Sequence, residues 1–190
     1  MTGTRVIAIQ AILGAALAIV LAVLYNQLIA RRQMANNGWA DIDVQLKRRA
    51  DLVPQLVAVV QGYAAHERQL FTDIAEKRTQ ALAAGDDPQR RGAAETDLTK
   101  PLGRLIAVAE GYPELKASQN FLDLQNQLAD TENKIEMARR FYNGAVRELN
   151  TAAESFPSNL VAAIGGISKR AFFEIGAGEA ATPQVMLKSS

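Results

Sequence analysis

Residues 36–67 read NNGWADIDVQLKRRADLVPQLVAVVQGYAAHE, and the remaining helices of the chain have to pack around this stretch. It contains the only Trp of the chain, Trp39, its only His, His66, and an interior proline, Pro54. From residue 34 to about residue 84, apolar residues recur at steps of three and four, which is typical of one long amphipathic helix. Because proline removes a backbone donor, we expect a kink at Pro54 or a restart of the helix just before it.

The composition of the 190 residues favours helix over sheet and argues against several kinds of site. The β-branched residues are concentrated in one early run, while good helix formers dominate elsewhere. The absence of cysteine leaves no disulfide and no zinc–thiolate site. Basic and acidic residues nearly balance, 21 against 20, so the basic excess that a nucleic-acid-binding face needs is missing. We therefore predict an all-α protein with no nucleic-acid partner.

An apolar run precedes the amphipathic helix. Residues 6–24 read VIAIQAILGAALAIVLAVL, interrupted only by Gln10. About 20 helical residues, at about 1.5 Å each, cross a hydrocarbon core of about 30 Å. We predict a membrane-spanning helix over residues 6–29, after a short tail of residues 1–5, with Tyr25 at the membrane interface. A cleaved signal peptide is the alternative, but its apolar region is only about 7 to 15 residues long.

The charges that flank this run predict its orientation. Arg5 lies before the run, whereas Arg31 and Arg32 follow it closely. Basic residues concentrate on the cytoplasmic side of membrane proteins. We therefore expect the N terminus outside, the following domain in the cytoplasm, and Arg31 and Arg32 at the membrane interface.

Two further long helices are predicted downstream. The Gly, Asp and Pro residues of 84–88 indicate a loop, after which a second helix runs to about residue 111. A third helix over about residues 119–154 follows another break. Since short loops make sequential helices antiparallel, we predict an elongated antiparallel bundle of three long helices over residues 30–175.

The segment after the third helix, SFPSNLVAAIGGI at 155–167, is apolar but carries a proline and two glycines, so we predict only a short helical cap. Counting about 1.5 Å per residue makes the third helix parallel to the first and places this cap at the end furthest from the membrane. Residues 176–190 are predicted to form a flexible tail. Because exposed apolar patches mark contact sites, the candidate partner contacts in the cap are Phe156, Leu160, Val161, Ile164 and Ile167.

The same counting predicts one structural ion pair. Glu67 and Arg139 both fall on otherwise apolar stripes of the first and third helices, at similar heights. Charges in a helix seam are costly unless they are paired, and arginine can bind a carboxylate through two hydrogen bonds. We therefore expect Glu67 and Arg139 to form an interhelical pair that fixes the register. Arg49 and Glu132 fall on the same stripes but are less well matched in height.

Lys47, Arg48 and Arg49 form a basic cluster that we keep as a set of candidate partner contacts. Basic residues can attract anionic lipid. This cluster, however, lies about 25 Å from the membrane by helical rise, beyond a Debye length of about 8 Å. Pairing of Asp43 with Lys47 at i, i+4 explains part of the cluster, and the rest has no full explanation.

Two other groups of residues allow a chemical and a structural interpretation. His66 beside Glu67 could form an acid–base or metal pair, but no second His or any Cys completes a zinc site. A second group could line a ligand pocket, although i, i+4 pairing of neighbouring charges explains it structurally. We favour the structural interpretation of both and predict no catalytic residue, metal site or cofactor. The second group consists of Glu132, Arg139, Arg140, Tyr142 and Asn143.

Several segments together resemble the LemA family of bacterial membrane proteins. The resemblance covers residues 25–173 in order, with Pro101 as a departure from the family's helical run. It implies an anchored helical bundle in the bacterial cytoplasmic membrane, and it carries over no enzymatic activity, cofactor or catalytic residue. The segments are QLKRRADLVPQLV from Gln45, GYAAHE from Gly62, LGRLIAVAEGYPELKAS from Leu102, ENKIEMARRFYNGAVRELN from Glu132 and FPSNLVA from Phe156.

These observations predict a single-pass membrane-anchored scaffold or interaction module without catalysis. We expect the lipid bilayer as one partner and a second copy or another membrane protein as the other, with no small-molecule substrate. The alternative is an accessory or modulator subunit of a membrane enzyme or transporter.

Overall fold

The computed structural model describes residues 2–176, with side chains for residue 7 and from residue 9 onward. None of the described residues forms a strand, and the predicted all-α class is confirmed. Of the predicted tail over 176–190, all but Gly176 lies outside the described residues. The helices in chain order are α1 (Thr2–Gln61), α2 (Arg68–Ala83), α3 (Pro88–Glu110), α4 (Pro113–Lys116), α5 (Gln119–Glu154) and α6 (Ser158–Ile164).

Helix α1 is 60 residues long and contains the apolar run. Among residues 2–176, it is the one helix long and apolar enough to cross a membrane. Almost none of this apolar segment is buried within the protein. Beyond the run the helix becomes amphipathic, because Leu28, Ala35 and Ile42 are fully buried. The same helix therefore supplies both the apolar segment and part of the bundle core.

The chain does not continue as one helix to residue 84, so that prediction is wrong. Pro54 lies inside α1, and the helix ends only after Gln61. The amides of Tyr63 and Ala64 both bond to the carbonyl of Val60, at 3.0 and 2.9 Å, which closes a turn there. Helix α2 then folds back along α1.

The next boundaries follow the local sequence. Asp87 caps α3, since its side chain accepts a hydrogen bond from the amide of Arg90 at 2.8 Å, and Pro88 begins the helix. Pro101 lies inside α3 without ending it. Helix α5 has the bounds that its apolar stripe predicts.

The chain divides into two compact units. The anchor unit comprises Met1–Asp43 and Met137–Phe172. The α2–α4 unit comprises Val44–Glu136 and the segment that begins at Phe173. The core of the α2–α4 unit includes Val53, Leu56, Val60, Ile74, Leu98, Leu105 and Leu115.

Within the anchor unit, α1 and α5 are antiparallel. The ring centroids of Trp39 and Tyr142 are 5.5 Å apart, whereas Leu28 packs in a cluster with Leu149. Residue numbers therefore rise along α1 as they fall along α5. The predicted parallel arrangement of the first and third long helices is wrong, because the fold-back of α2 adds one reversal of the chain.

Helix α6 packs against the same part of α1. Val161 and Ala162 join the cluster around Leu28, only a few residues after the apolar run. The prediction that the apolar cap lies at the end furthest from the membrane-spanning segment is therefore also wrong. The missed reversal accounts for this error, because it inverts the direction in which α5 leads to the cap.

Candidate functional site

Three large apolar side chains at α6 are exposed, and we call them the α6 apolar face. Phe156 is 81% exposed, Leu160 56% and Ile164 88%. Val161 and Ile167, which the sequence suggested as contacts, are only 7% and 6% exposed. These two side chains pack in the core of the anchor unit and hold α6 in place, so they offer no contact surface.

The α6 apolar face lies beside the end of the apolar run. A Cβ atom on Gly165 would lie 3.0 Å from Cε2 of Tyr25, and Leu24 packs against the cluster that contains Val161. Tyr25 itself is 42% exposed, and its place at the membrane interface stays a prediction.

The two arginines predicted at the interface differ in environment. Arg32 is exposed, whereas Arg31 is half-buried. Arg31 lines an open cavity of about 480 Å³ together with Arg147, Glu148 and Phe156. Both signs of charge therefore lie next to the α6 apolar face, with the basic side chains in excess.

The structure separates the three members of the Lys47, Arg48 and Arg49 cluster. Lys47 is exposed. Arg48 is 3.9 Å from Asp130 and its side chain is 44% exposed. Arg49 is 1% exposed and lies inside the α2–α4 unit, so it cannot serve as the partner contact that the sequence suggested.

Arg49 is the centre of a buried charge cluster, which we define as Arg49, Arg91, Glu95 and Glu132. Its Nε lies 2.9 Å from Oε1 of Glu132, and its Nη1 donates to Oε2 of Glu95 at 3.3 Å. Its Nη2 donates to the hydroxyl of Thr99 at 2.8 Å. The Nε of Arg91 completes the cluster by donating to Oε1 of Glu95 at 3.1 Å. The cluster ties α1, α3 and α5 together.

Burial raises the pKa of the Glu95 carboxyl, and the charges of Arg49 and Arg91 offset only part of this effect. An ionised Glu95 is thus costly to bury, and both arginines are needed beside it. Because these buried charges are paired with one another inside the unit, the cluster is a structural element rather than a surface for a partner.

Sequence reasoning identified Arg49 and Glu132 but missed Arg91 and Glu95. The sequence does contain a signal for these two residues. Positions 91, 95, 98 and 102 are separated by four, three and four residues, which is the spacing of one buried helix face, here that of α3. Two charged residues at the start of an apolar stripe indicate a buried pair, as at Arg49 and Glu132.

The other predicted site residues have the following positions. Glu67 is the N-cap residue of α2, exposed like its neighbour His66, and lines an open cavity with Arg104. Arg139 is half-buried in α5. The pairing of Glu67 with Arg139 stays a prediction, although the parallel arrangement on which it was based is wrong.

The suggested ligand pocket around Tyr142 is part of a packed core. Tyr142 is 1% exposed, and its hydroxyl donates to the carbonyl of Ala171 at 2.9 Å. Asn150 exchanges hydrogen bonds with the backbone of Arg170, at 3.0 and 2.9 Å, which fixes the same segment. Nothing in the periodicity marks Asn150 for this role. Within residues 2–176, no three His, Asp or Glu side chains lie close enough together to hold a metal ion.

A second exposed apolar pair lies on α5. Met137 is 62% exposed and Phe141 49%, and they are one helical turn apart. We call this pair the α5 flank. It belongs to the anchor unit, like the α6 apolar face.

Comparisons with known proteins give a family and several relatives for this chain. Residues 38–187 match the model of the LemA family. The chain is similar to the magnetosome proteins MamQ 1 and MamQ 2 of Paramagnetospirillum magneticum, each 24% identical over 79% of this chain and 64% of the relative. MamQ of Magnetospirillum gryphiswaldense is 24% identical over 85% of this chain and 70% of the relative. Protein LemA of Metamycoplasma hominis is 24% identical over 72% and 63%, respectively. The chain thus spans about 64% of the length of MamQ 1 and MamQ 2.

Proposed function

The chain belongs to the LemA family and is a membrane-associated helical protein, and on this basis we propose that it acts as a single-pass scaffold or interaction module. It works at the bacterial cytoplasmic membrane, with its bundle on the cytoplasmic side, and it self-associates. The observation that carries the proposal is the continuity of α1, whose exposed apolar segment leads without a break into the bundle core. No catalytic step is part of this proposal.

Self-association is supported by the α5 flank. Met137 and Phe141 present adjacent apolar side chains on a helix that is otherwise amphipathic, and exposed apolar neighbours of this kind mark contact sites. Anchored copies are also confined to one plane, which raises their effective concentration for a contact between flanks. The MamQ relatives are magnetosome proteins.

Cysteine cross-linking tests this proposal directly, because the natural chain has no cysteine. F141C is placed on the α5 flank, and A40C, exposed on α1 of the same unit, is the matched control. In native membranes treated with a short bismaleimide, F141C should form homodimers and A40C should not. A dominant adduct with a foreign protein would instead favour the accessory-subunit alternative, and no adduct at F141C would contradict self-association through this flank.

A further inference from the structure

We propose that the α6 apolar face, formed by Phe156, Leu160 and Ile164, inserts into the headgroup layer of the bilayer that α1 crosses. This inference rests on the proposed single-pass anchor and deepens it, because it assigns a second membrane contact to the same chain. The ligand of this face is a lipid surface.

Helix α6 lies at the height along α1 where the apolar run ends. Gly165 lies against the ring of Tyr25, and Val161 packs with Leu28. From Leu24, where the apolar run ends, to Leu28 the helix rises about 6 Å. A bilayer about 40–45 Å thick with a hydrocarbon core of about 30 Å leaves a headgroup layer of about 5–7.5 Å on each side. The residues of α1 that hold α6 therefore fall within that layer.

The exposed side chains of α6 point away from the core of the anchor unit. Val161 and Ala162 are buried against the core of the anchor unit, whereas Leu160 and Ile164 are exposed. Residues four apart lie on the same face of a helix, so Leu160 and Ile164 point the same way. Because the inner face is fixed to α1, the outer face cannot turn inward to bury its apolar side chains. No side chain of residues 2–176 covers Leu160 and Ile164.

The surroundings favour lipid over a second copy. The α6 apolar face lies beside the part of α1 that the bilayer covers, where Leu21 and Val23 are 43% and 49% exposed. Arg31 and Arg147 line the cavity next to Phe156, and Glu148 is the acidic residue among them. Basic residues at headgroup level are attracted by anionic lipids, and apolar side chains between them enter the acyl boundary. A lipid surface can therefore bind the basic side chains through its headgroups and cover the apolar side chains at its acyl boundary.

Fluorescence quenching in lipid tests the inference on the full chain. I164C is labelled with an environment-sensitive fluorophore, and the protein is reconstituted in vesicles of phosphatidylcholine and phosphatidylglycerol with nitroxide-labelled lipid. A40C, exposed on α1 about 24 Å beyond Leu24 by helical rise, is the control for a site outside the bilayer, and A15C, within the apolar run, reports on the anchor. Ile164 is 88% exposed, so the substitution removes little packing, and circular dichroism checks that the helices are intact.

We expect nitroxides near the headgroups to quench the probe at residue 164 several times more strongly than the probe at residue 40. This quenching should not change with the ratio of protein to lipid. Quenching no stronger than at residue 40 would overturn the inference. Shielding that grows with protein density, without quenching by lipid, would overturn it in favour of a second copy. Failure of the anchor is distinguishable, because the probe at residue 15 would then also escape quenching by nitroxides deep in the bilayer.

Discussion

Pro54 explains a contact between α1 and α2. It has no amide hydrogen, so the carbonyl of Ala50 four residues earlier lacks its helical partner. The Nε of Arg78 on α2 donates to this carbonyl instead. Pro54 thus leaves the carbonyl of Ala50 available as an acceptor, and the hydrogen bond from Arg78 holds α2 against α1.

A double-mutant cycle tests this reading of Pro54. R78M should lower the free energy of unfolding by about 1–2 kcal/mol, since a charged donor to a part-buried carbonyl is lost. In a P54A background the backbone amide of residue 54 can serve Ala50, so R78M should cost clearly less there. Denaturant titrations of the four proteins in detergent give the coupling. Equal costs of R78M in both backgrounds would show that the carbonyl does not depend on Arg78.

Two adjacent arginines, Arg48 and Arg49, should differ sharply in their contribution to stability. R49M leaves the buried Glu95 with one arginine fewer and should destabilise the fold by about 3–5 kcal/mol. R48M removes an exposed pair with Asp130 and should cost about 1 kcal/mol or less. R49K keeps the charge but loses the planar fork, so an intermediate value is expected. Similar unfolding free energies for R48M and R49M would contradict the buried charge cluster.

Asp130 provides a prediction about pH. The hydrogen bond from Lys134, at 2.8 Å, holds the pKa of the Asp130 carboxyl below its ordinary value, and the charge of Arg48 adds a smaller effect in the same direction. The folded chain therefore binds this proton less tightly than the unfolded chain. The resulting stabilisation is present above the ordinary pKa and is lost as the pH falls through the folded pKa. In carbon-detected NMR titrations, K134Q should raise the pKa of Asp130 more than R48Q; the opposite order would assign the main effect to Arg48.

At the scale of elements, Gly92 decides how the segment after Phe173 lies on α3. A Cβ atom at Gly92 would lie 2.1 Å from the carbonyl oxygen of Glu174, so only glycine admits this backbone. The amide of Gly176 donates to the hydroxyl of Thr96 at 2.8 Å, one turn along the same helix. Both contacts belong to the α2–α4 unit.

Alanine at two glycines of α3 should therefore have opposite effects. G103A meets no atom within 4 Å and should stabilise the helix by up to about 1 kcal/mol. G92A offers the same gain in helix propensity but displaces Glu174, so the fold should lose stability and residues 173–176 should lose protection. Amide hydrogen exchange followed by mass spectrometry measures that protection. Unchanged exchange in G92A would show that the segment does not depend on this glycine.

Local chemistry made several elements predictable from the sequence. The Gly, Asp and Pro residues around Asp87 fix the turn and the start of α3, and an uninterrupted apolar stripe fixes α5. The end of α1 was not predictable in this way, because Leu70 and Ile74 continue the apolar spacing beyond the turn. Periodicity reports which faces are buried, and it does not report whether the helix between them is continuous.

For the whole molecule, this single missed turn had large consequences. One extra reversal makes α5 antiparallel to α1 in the anchor unit and brings α6 beside Leu28. It also changes which charges meet, since Arg49 and Glu132, which the predicted parallel arrangement matched poorly in height, form an ion pair at 2.9 Å. Phe156, Leu160 and Ile164 could be predicted as exposed contacts from the sequence. The burial of Val161 and Ile167, and the position of α6 beside the end of the apolar run, required the tertiary structure.

The orientation of the chain in the membrane decides on which side of the bilayer every surface of the bundle lies. Arg31 and Arg32 outnumber Arg5 across the apolar run, so the bundle should lie in the cytoplasm. In spheroplasts, a membrane-impermeant maleimide should label T2C at once and N126C, exposed on α5, only after permeabilisation. R31Q/R32Q weakens the charge difference and should make a fraction of N126C accessible from outside. Labelling of N126C but not T2C in intact spheroplasts would reverse the topology, and the α6 apolar face would then contact the outer leaflet.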